Sequence, residues 1–274
     1  MPNRIRRISA LARLIILDGL RRHALIGLIL FALAGVVSGL LFFDFIPRDV
    51  GRAANDFLFS TIWLTGFILL LFHAVQVMAW DNERRALHTY LARPLSRTEY
   101  ALALFFGIAV LLLALNLILG AMGWMILKYI RSLVGMGYFQ LLSGPFFLLA
   151  LAGLYCLQLM ILSVILLFSS AVRGSFPVLL LTLGYYFIAS GLPVVRQALR
   201  QKNAPGVHTP LDSLLQGLTA IFPDFTRLDF KTLVIAHDTA VTPGQLALPF
   251  GLASTYIIVV LYLACLIYQR RDLE

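Results

Sequence analysis

Residues 101–127 read A-L-A-L-F-F-G-I-A-V-L-L-L-A-L-N-L-I-L-G-A-M-G-W-M-I-L, a run with no charge and with Asn116 as its one amide side chain. A helix needs about 20 apolar residues to cross a hydrocarbon core of about 30 Å. Backbone amides in lipid must be satisfied internally, which leaves helices or closed barrels. Barrel strands alternate apolar and polar residues over about ten positions, and this run does not alternate. It therefore reads as a membrane-crossing helix. Comparable runs lie on both sides of it. Together they predict six spans, at about 24–43, 57–80, 101–127, 145–172, 176–195 and 248–268, in an all-α integral membrane protein whose residues 1–274 form a single transmembrane domain.

Composition agrees with that reading. The chain is 60% hydrophobic and 13% charged, whereas soluble domains run at about 45–50% and about 25%. Its formal net charge is +9, but the basic residues flank the apolar runs, so they speak to topology and anionic headgroups. No basic patch interleaved with aromatics lies outside the runs, which argues against a nucleic-acid partner. Cys156 and Cys265 fall inside apolar runs and act as small hydrophobes. The basic-then-apolar opening suggests a signal peptide, but Ala32-Leu33-Ala34 sits in the middle of the first run, so an uncleaved span is expected. With the N-terminus inside, the inner segments hold about 13 Lys and Arg in about 50 positions and the outer ones about 9 in about 80. Both termini are thus expected in the cytoplasm.

The segments between the spans carry most of the remaining information. In residues 1–23, Ile5, Ile8, Leu11, Ala12, Ile15 and Ile16 recur at helical spacing, with Arg6, Arg13 and Asp18 elsewhere on the wheel. The pattern predicts an amphipathic helix lying on the membrane surface. Gly35 and Gly39 form a GxxxG in the first span, compatible with close helix packing. Polar loops are expected at 44–56 and 128–144, and a tight turn at Arg173-Gly174-Ser175. Ahead of the last span, Thr209-Pro210 opens a stripe of Leu211, Leu214, Leu215, Leu218 and Phe222, and a second apolar cluster covers Phe230 to Ile235. Two short outer-side helices are expected there.

No phosphate loop, no H-E-x-x-H and no zinc-spaced Cys/His set occurs in the sequence. The polar residues inside spans are candidate lining for a substrate path, because they are costly in lipid. They are His73 and Gln76, three apart on one face of the second span, with Asn116 in the third and Gln158 in the fourth. Inter-helix hydrogen bonding is the plainer use of the same residues.

Asp81 to Tyr100 reads D-N-E-R-R-A-L-H-T-Y-L-A-R-P-L-S-R-T-E-Y. Acids open it, where a helix N-terminus favours them. Leu87, Tyr90 and Leu91 form an apolar face, Pro94 stops the helix, and Ser96 or Thr98 is placed to cap the next one. This stretch resembles the signature of the ABC-2 type transporter permeases, above all at Arg93-Pro94-Leu95-Ser96-Arg97-Thr98-Glu99. Phe222-Pro223-Asp224-Phe225, Leu228-Asp229-Phe230 and the closing Arg271-Asp272-Leu273 are similar to further elements of that family. The chain departs from the family pattern at Arg85-Ala86 and Ala103-Leu104.

The resemblance implies the membrane subunit of an ATP-driven exporter in the cytoplasmic membrane, paired with a second permease copy and with separate ATP-binding subunits. ATP and Mg would belong to those partners, with no cofactor or metal on this chain and no catalytic residues. It makes residues 1–23 an interface helix and 81–93 a coupling helix, with Arg84, Arg85 and His88 meeting the ATPase, Arg93 closing the segment, and Asp81 and Glu83 at its start. Two other classes compete. An ion-coupled secondary transporter would want carboxylates deep in the spans, and an intramembrane enzyme would want paired catalytic groups there.

Overall fold

A computed structural model describes residues 2–21, 24–42, 50–78, 96–134, 139, 142–202, 222–235 and 243–270. These residues are helical or in short turns, with no strand among them. The helices are α1 (Pro2–Arg21), α2 (Ala24–Phe42), α3 (Val50–Met78), α4 (Arg97–Val134), α5 (Gly144–Ala171), α6 (Ser175–Lys202) and α7 (Pro243–Arg270). Two 3-10 turns, Phe225–Leu228 and Lys231–Val234, lie between α6 and α7. Five of the helices, α3 to α7, are long and apolar enough to cross a membrane. The chain is a multi-pass membrane protein. The sixth apolar helix, α2, carries no charged residue. In α2 the shorter stretch Ile26–Val36 meets the apolar criterion.

Four boundaries move from the sequence expectation. Helix α3 starts at Val50 rather than near 57, because Val50, Ala54 and Asn55 are buried against the bundle while Arg52 and Asp56 face out. Helix α4 continues through Lys128 to Val134, with Leu127 and Ile130 buried. Helix α6 runs past Pro193 to Lys202, so the backbone of Arg196 and Arg200 is helical rather than loop. Helix α7 begins at Pro243. The α5–α6 turn is where it was expected, and it turns on Gly174, whose φ of 107° suits glycine. The expected coupling helix and the Leu211–Leu218 stripe lie outside the described residues.

The N-terminal helix carries its expected apolar stripe, and the part from Ile8 to Ile16 lies against protein, while Ile5 is exposed. Arg7 pairs with Glu99 at 3.8 Å, Ile15 lies on Gly107, and Gly19 lies on Leu111. Each contact joins residues 92 apart, so α1 and α4 run parallel and in register over about 18 Å at 1.5 Å per residue. Two missing side chains permit this. A Cβ on Gly107 would sit 3.0 Å from Ile15 and 3.3 Å from the Ala12 carbonyl oxygen. One on Gly19 would sit 2.6 Å from Leu111. A periodic stripe tells that a helix has an apolar side, but not whether lipid or another helix covers it. Gly107→Leu is therefore expected to weaken docking of α1 by about 1–2 kcal/mol, raising its opened fraction about 5- to 30-fold. Tryptic cleavage at Arg7 and Arg13 in solubilised protein measures this, with Gly184→Leu, at a glycine with open space around it, as the unchanged control.

Helix α4 has 38 residues. It is therefore about 57 Å long, nearly twice a hydrocarbon core of about 30 Å. Its uncharged stretch 101–127 covers about 40 Å, so the charged ends, at Arg97 and at Lys128 to Arg131, extend beyond the core. The remaining helices gather on α5, which packs against α4, α6, α7 and both 3-10 turns. Gly35, the first glycine of the GxxxG in α2, lies against Thr61 of α3.

Candidate functional site

Two features within the bundle bear on function. The first joins α4 to α5. Asn116 Nδ2 donates to Gln158 Oε1 at 2.6 Å and to the Leu112 carbonyl at 2.8 Å. Both residues are buried, at 1% and 0% exposure. Asn116 Oδ1 and Gln158 Nε2 are left without a hydrogen-bond partner. Interchanging oxygen and nitrogen in both amides keeps one bond between them but turns an oxygen onto the Leu112 carbonyl, so the arrangement given is the better one. Gln158 rests on Gly66 of α3, where any side chain would collide with its amide.

The other two candidates for a substrate path are not part of this pair, and they differ in burial. His73 is buried, and the neighbouring Gly19 of α1 leaves its ring room: a Cβ there would lie 3.2 Å from Nε2. Gln76 is exposed. His73 lies in the π-helical turn Leu69–Ala74 of α3. Its wider i→i+5 winding departs from the α-helical spacing that put positions 73 and 76 on one side. Nothing in the local composition signals this turn. The structure thus brings together Asn116 and Gln158, while His73 serves the α1–α3–α4 contact. Asp81, Glu83, Arg84, Arg85, His88 and Arg93 lie outside the described residues.

Where the signature stretch re-enters the described residues, it forms a capping box. Ser96 Oγ accepts from the Glu99 backbone N–H at 3.2 Å, and Glu99 Oε2 accepts from the Ser96 N–H at 3.1 Å. Of the two residues placed to cap, Ser96 does so, with Thr98 at 3.1 Å from its hydroxyl. Glu99 therefore holds both the start of α4 and Arg7 of α1.

The second feature was not legible in the sequence. It is a cavity of about 250 Å³ at the other end of the bundle, between α3, α5, α6 and the 3-10 turns. One wall is aromatic: Phe59 and Trp63 of α3, Tyr186 of α6 and Phe225. Trp63 and Tyr186 have ring centroids 5.8 Å apart, and both rings contact Phe67. The floor is Ala150, Leu154 and Leu157 of α5. Ser60, Ser190 and Thr226 bring hydroxyls to the rim, where Asp229 and Lys231 supply the charges. Lys231 Nζ lies 3.6 Å from Asp229 and 3.8 Å from Asp56 of α3.

The segment roofing this cavity is fastened at several points. Asn55 Nδ2 donates to the Lys231 carbonyl at 2.9 Å, and the Ser143 N–H donates to the Val234 carbonyl at 3.1 Å. Asp224 caps the first 3-10 turn by accepting from the Thr226 N–H and pairs with Arg227 at 3.4 Å. Gly153 lets the Leu228 carbonyl come against α5. These contacts draw on residues from α3 and α5 that are far apart in sequence, which is why no local motif announces the cavity. No family model matches the chain, and no curated protein matches it.

Proposed function

We propose that the chain is the permease subunit of an ATP-driven exporter of the ABC-2 kind, worked by separate ATP-binding subunits. The observation that supports it best is the joint of Ser96, Glu99 and Arg7. The segment most similar to the family signature ends at that cap, and the N-terminal helix is fastened to the same acid. A displacement delivered to residues 81–95 would pass directly into the start of α4, and α1 would splint it over about 18 Å.

In this reading Ala24–Phe42 is the first of six spans. The start of α4 and both chain ends face the cytoplasm, and the membrane is the inner one. Residues 81–93 form the coupling helix, with Arg84, Arg85, His88 and Arg93 turned to the ATPase and Asp81 and Glu83 at its N-terminus. A second copy completes the membrane part, and the cavity under residues 222–235 opens on the outer side. ATP and Mg stay with the partner, and this chain performs no bond chemistry. The buried Asn116–Gln158 pair consists of amides, which neither gain nor lose a proton at any working pH. It therefore offers an ion-coupled mechanism nothing to titrate.

Tagged protein drawn from mild-detergent membranes is expected to bring down an ATP-binding subunit. An Arg84→Glu, Arg85→Glu variant of equal abundance is expected to lose it. Wild type arriving without any ATPase, under conditions that keep complexes intact, would overturn the proposal.

A further inference from the structure

The cavity's charges are unevenly matched. Lys231 is held by two carboxylates, Asp229 at 3.6 Å and Asp56 at 3.8 Å, so this group has one negative charge in surplus. The other nearby acid, Asp224, is already paired to Arg227. An anionic ligand would have to displace two carboxylates from one ammonium. A cationic ligand meets the surplus directly. It also meets a lining that includes the aromatic residues Phe59, Trp63, Tyr186 and Phe225, whose ring faces attract cations through the quadrupole, Trp most strongly. At about 250 Å³ the space is just below the usual range for a whole small-molecule site, about 300–1,000 Å³. It suits a compact head with an apolar body resting on Leu154 and Leu157.

We propose that this cavity binds the alkylammonium head of an amphiphile, its charged nitrogen against the Trp63–Tyr186 wall and beside Asp229. The inference rests on the permease reading only in treating that amphiphile as cargo; binding itself needs no ATPase. A quaternary ammonium can come from a free organic cation or from a choline headgroup, and the test separates the two.

The experiment is calorimetric titration of benzyltrimethylammonium into the purified full chain in phosphatidylglycerol nanodiscs. Saturable binding is expected. Trp63→Ala weakens it about tenfold, and Ser190→Trp, which fills the cavity from α6, abolishes it. Lys231→Met tightens it severalfold by leaving both carboxylates to the ligand, an effect opposite in sign to simple damage. Benzenesulfonate, of similar size and opposite charge, does not compete. Unchanged helix content by circular dichroism accompanies each variant. No saturable binding, full affinity in both Trp63→Ala and Ser190→Trp, or benzenesulfonate binding as tightly would each overturn the proposal. If the cation binds, the titration is repeated at high salt, which screens the anionic surface of phosphatidylglycerol; weaker binding in phosphatidylcholine nanodiscs under those conditions identifies a lipid headgroup as the natural occupant, and equal binding identifies a free cation. The purified chain carries no partner, so failure here leaves the ATPase pull-down to stand or fall alone.

Discussion

Gly153→Ala is expected to destabilise the protein by about 2 kcal/mol and to lift the 225–230 segment from the bundle. A Cβ at this position would lie 2.5 Å from the Leu228 carbonyl oxygen and 2.9 Å from the Phe230 ring. One neighbour is backbone, so it cannot rotate away. Helix α5 cannot retreat either, since α7 packs along it. Overpacking of this kind costs about 1–3 kcal/mol. The mean of that range lowers the thermal midpoint by several degrees. The shift is read by circular dichroism in detergent, with Gly184→Ala as control. Gly184 has open space around it, and alanine there costs nothing or gains slightly through helix propensity. If the two alanines behave alike, the close approach of the 225–230 segment to α5 is not a real constraint. Because that segment roofs the aromatic cavity, Gly153→Ala is also expected to reduce binding there more than its modest stability loss implies.

The second large effect concerns the buried amides. Gln158→Met is expected to cost about 1–3 kcal/mol, since it strands the Asn116 amide in a dry interior with only the Leu112 carbonyl for company. Asn116→Leu strands Gln158 in the same way. The double variant is expected to recover most of the loss, because two apolar side chains leave nothing unsatisfied. A double-mutant cycle measured by unfolding in mixed micelles should give a coupling at least as large as either single loss, about 1–3 kcal/mol. Additive losses would mean that the two residues act independently, as lining groups of a path would.

The helical class and the approximate position of each apolar helix follow from length and charge alone, because lipid imposes a strict minimum on both. The ends of the helices do not follow so simply. Arg52 and Asp56 looked like loop because they are charged, yet they are the outward side of a helix whose other side buries Ala54 and Asn55. Lys128 looked like a span's end for the same reason, but it lies over the Trp124 ring at 5.4 Å while the helix continues. Ser96 was legible as a cap because the capping box is a local spacing. The Asn116–Gln158 bond was legible as one of two uses for costly polar residues. His73 and Gln76 differ in burial, and the π turn that includes His73 had no signal in the sequence. The cavity was beyond reach of the sequence because its walls come from α3, α5, α6 and the 3-10 turns, and no periodicity relates them.

The register between α1 and α4 also has a consequence for how the chain is made. Ile15 leaves the ribosome about 90 residues before Gly107, its seat on α4. At about 5–20 residues per second, that interval is roughly 5 to 18 s. For those seconds the side of α1 that α4 will cover lacks its main support, and a lipid surface is the nearest substitute. The amphipathic pattern at the N-terminus thus serves the nascent chain first, as a temporary mooring, and the finished protein afterwards.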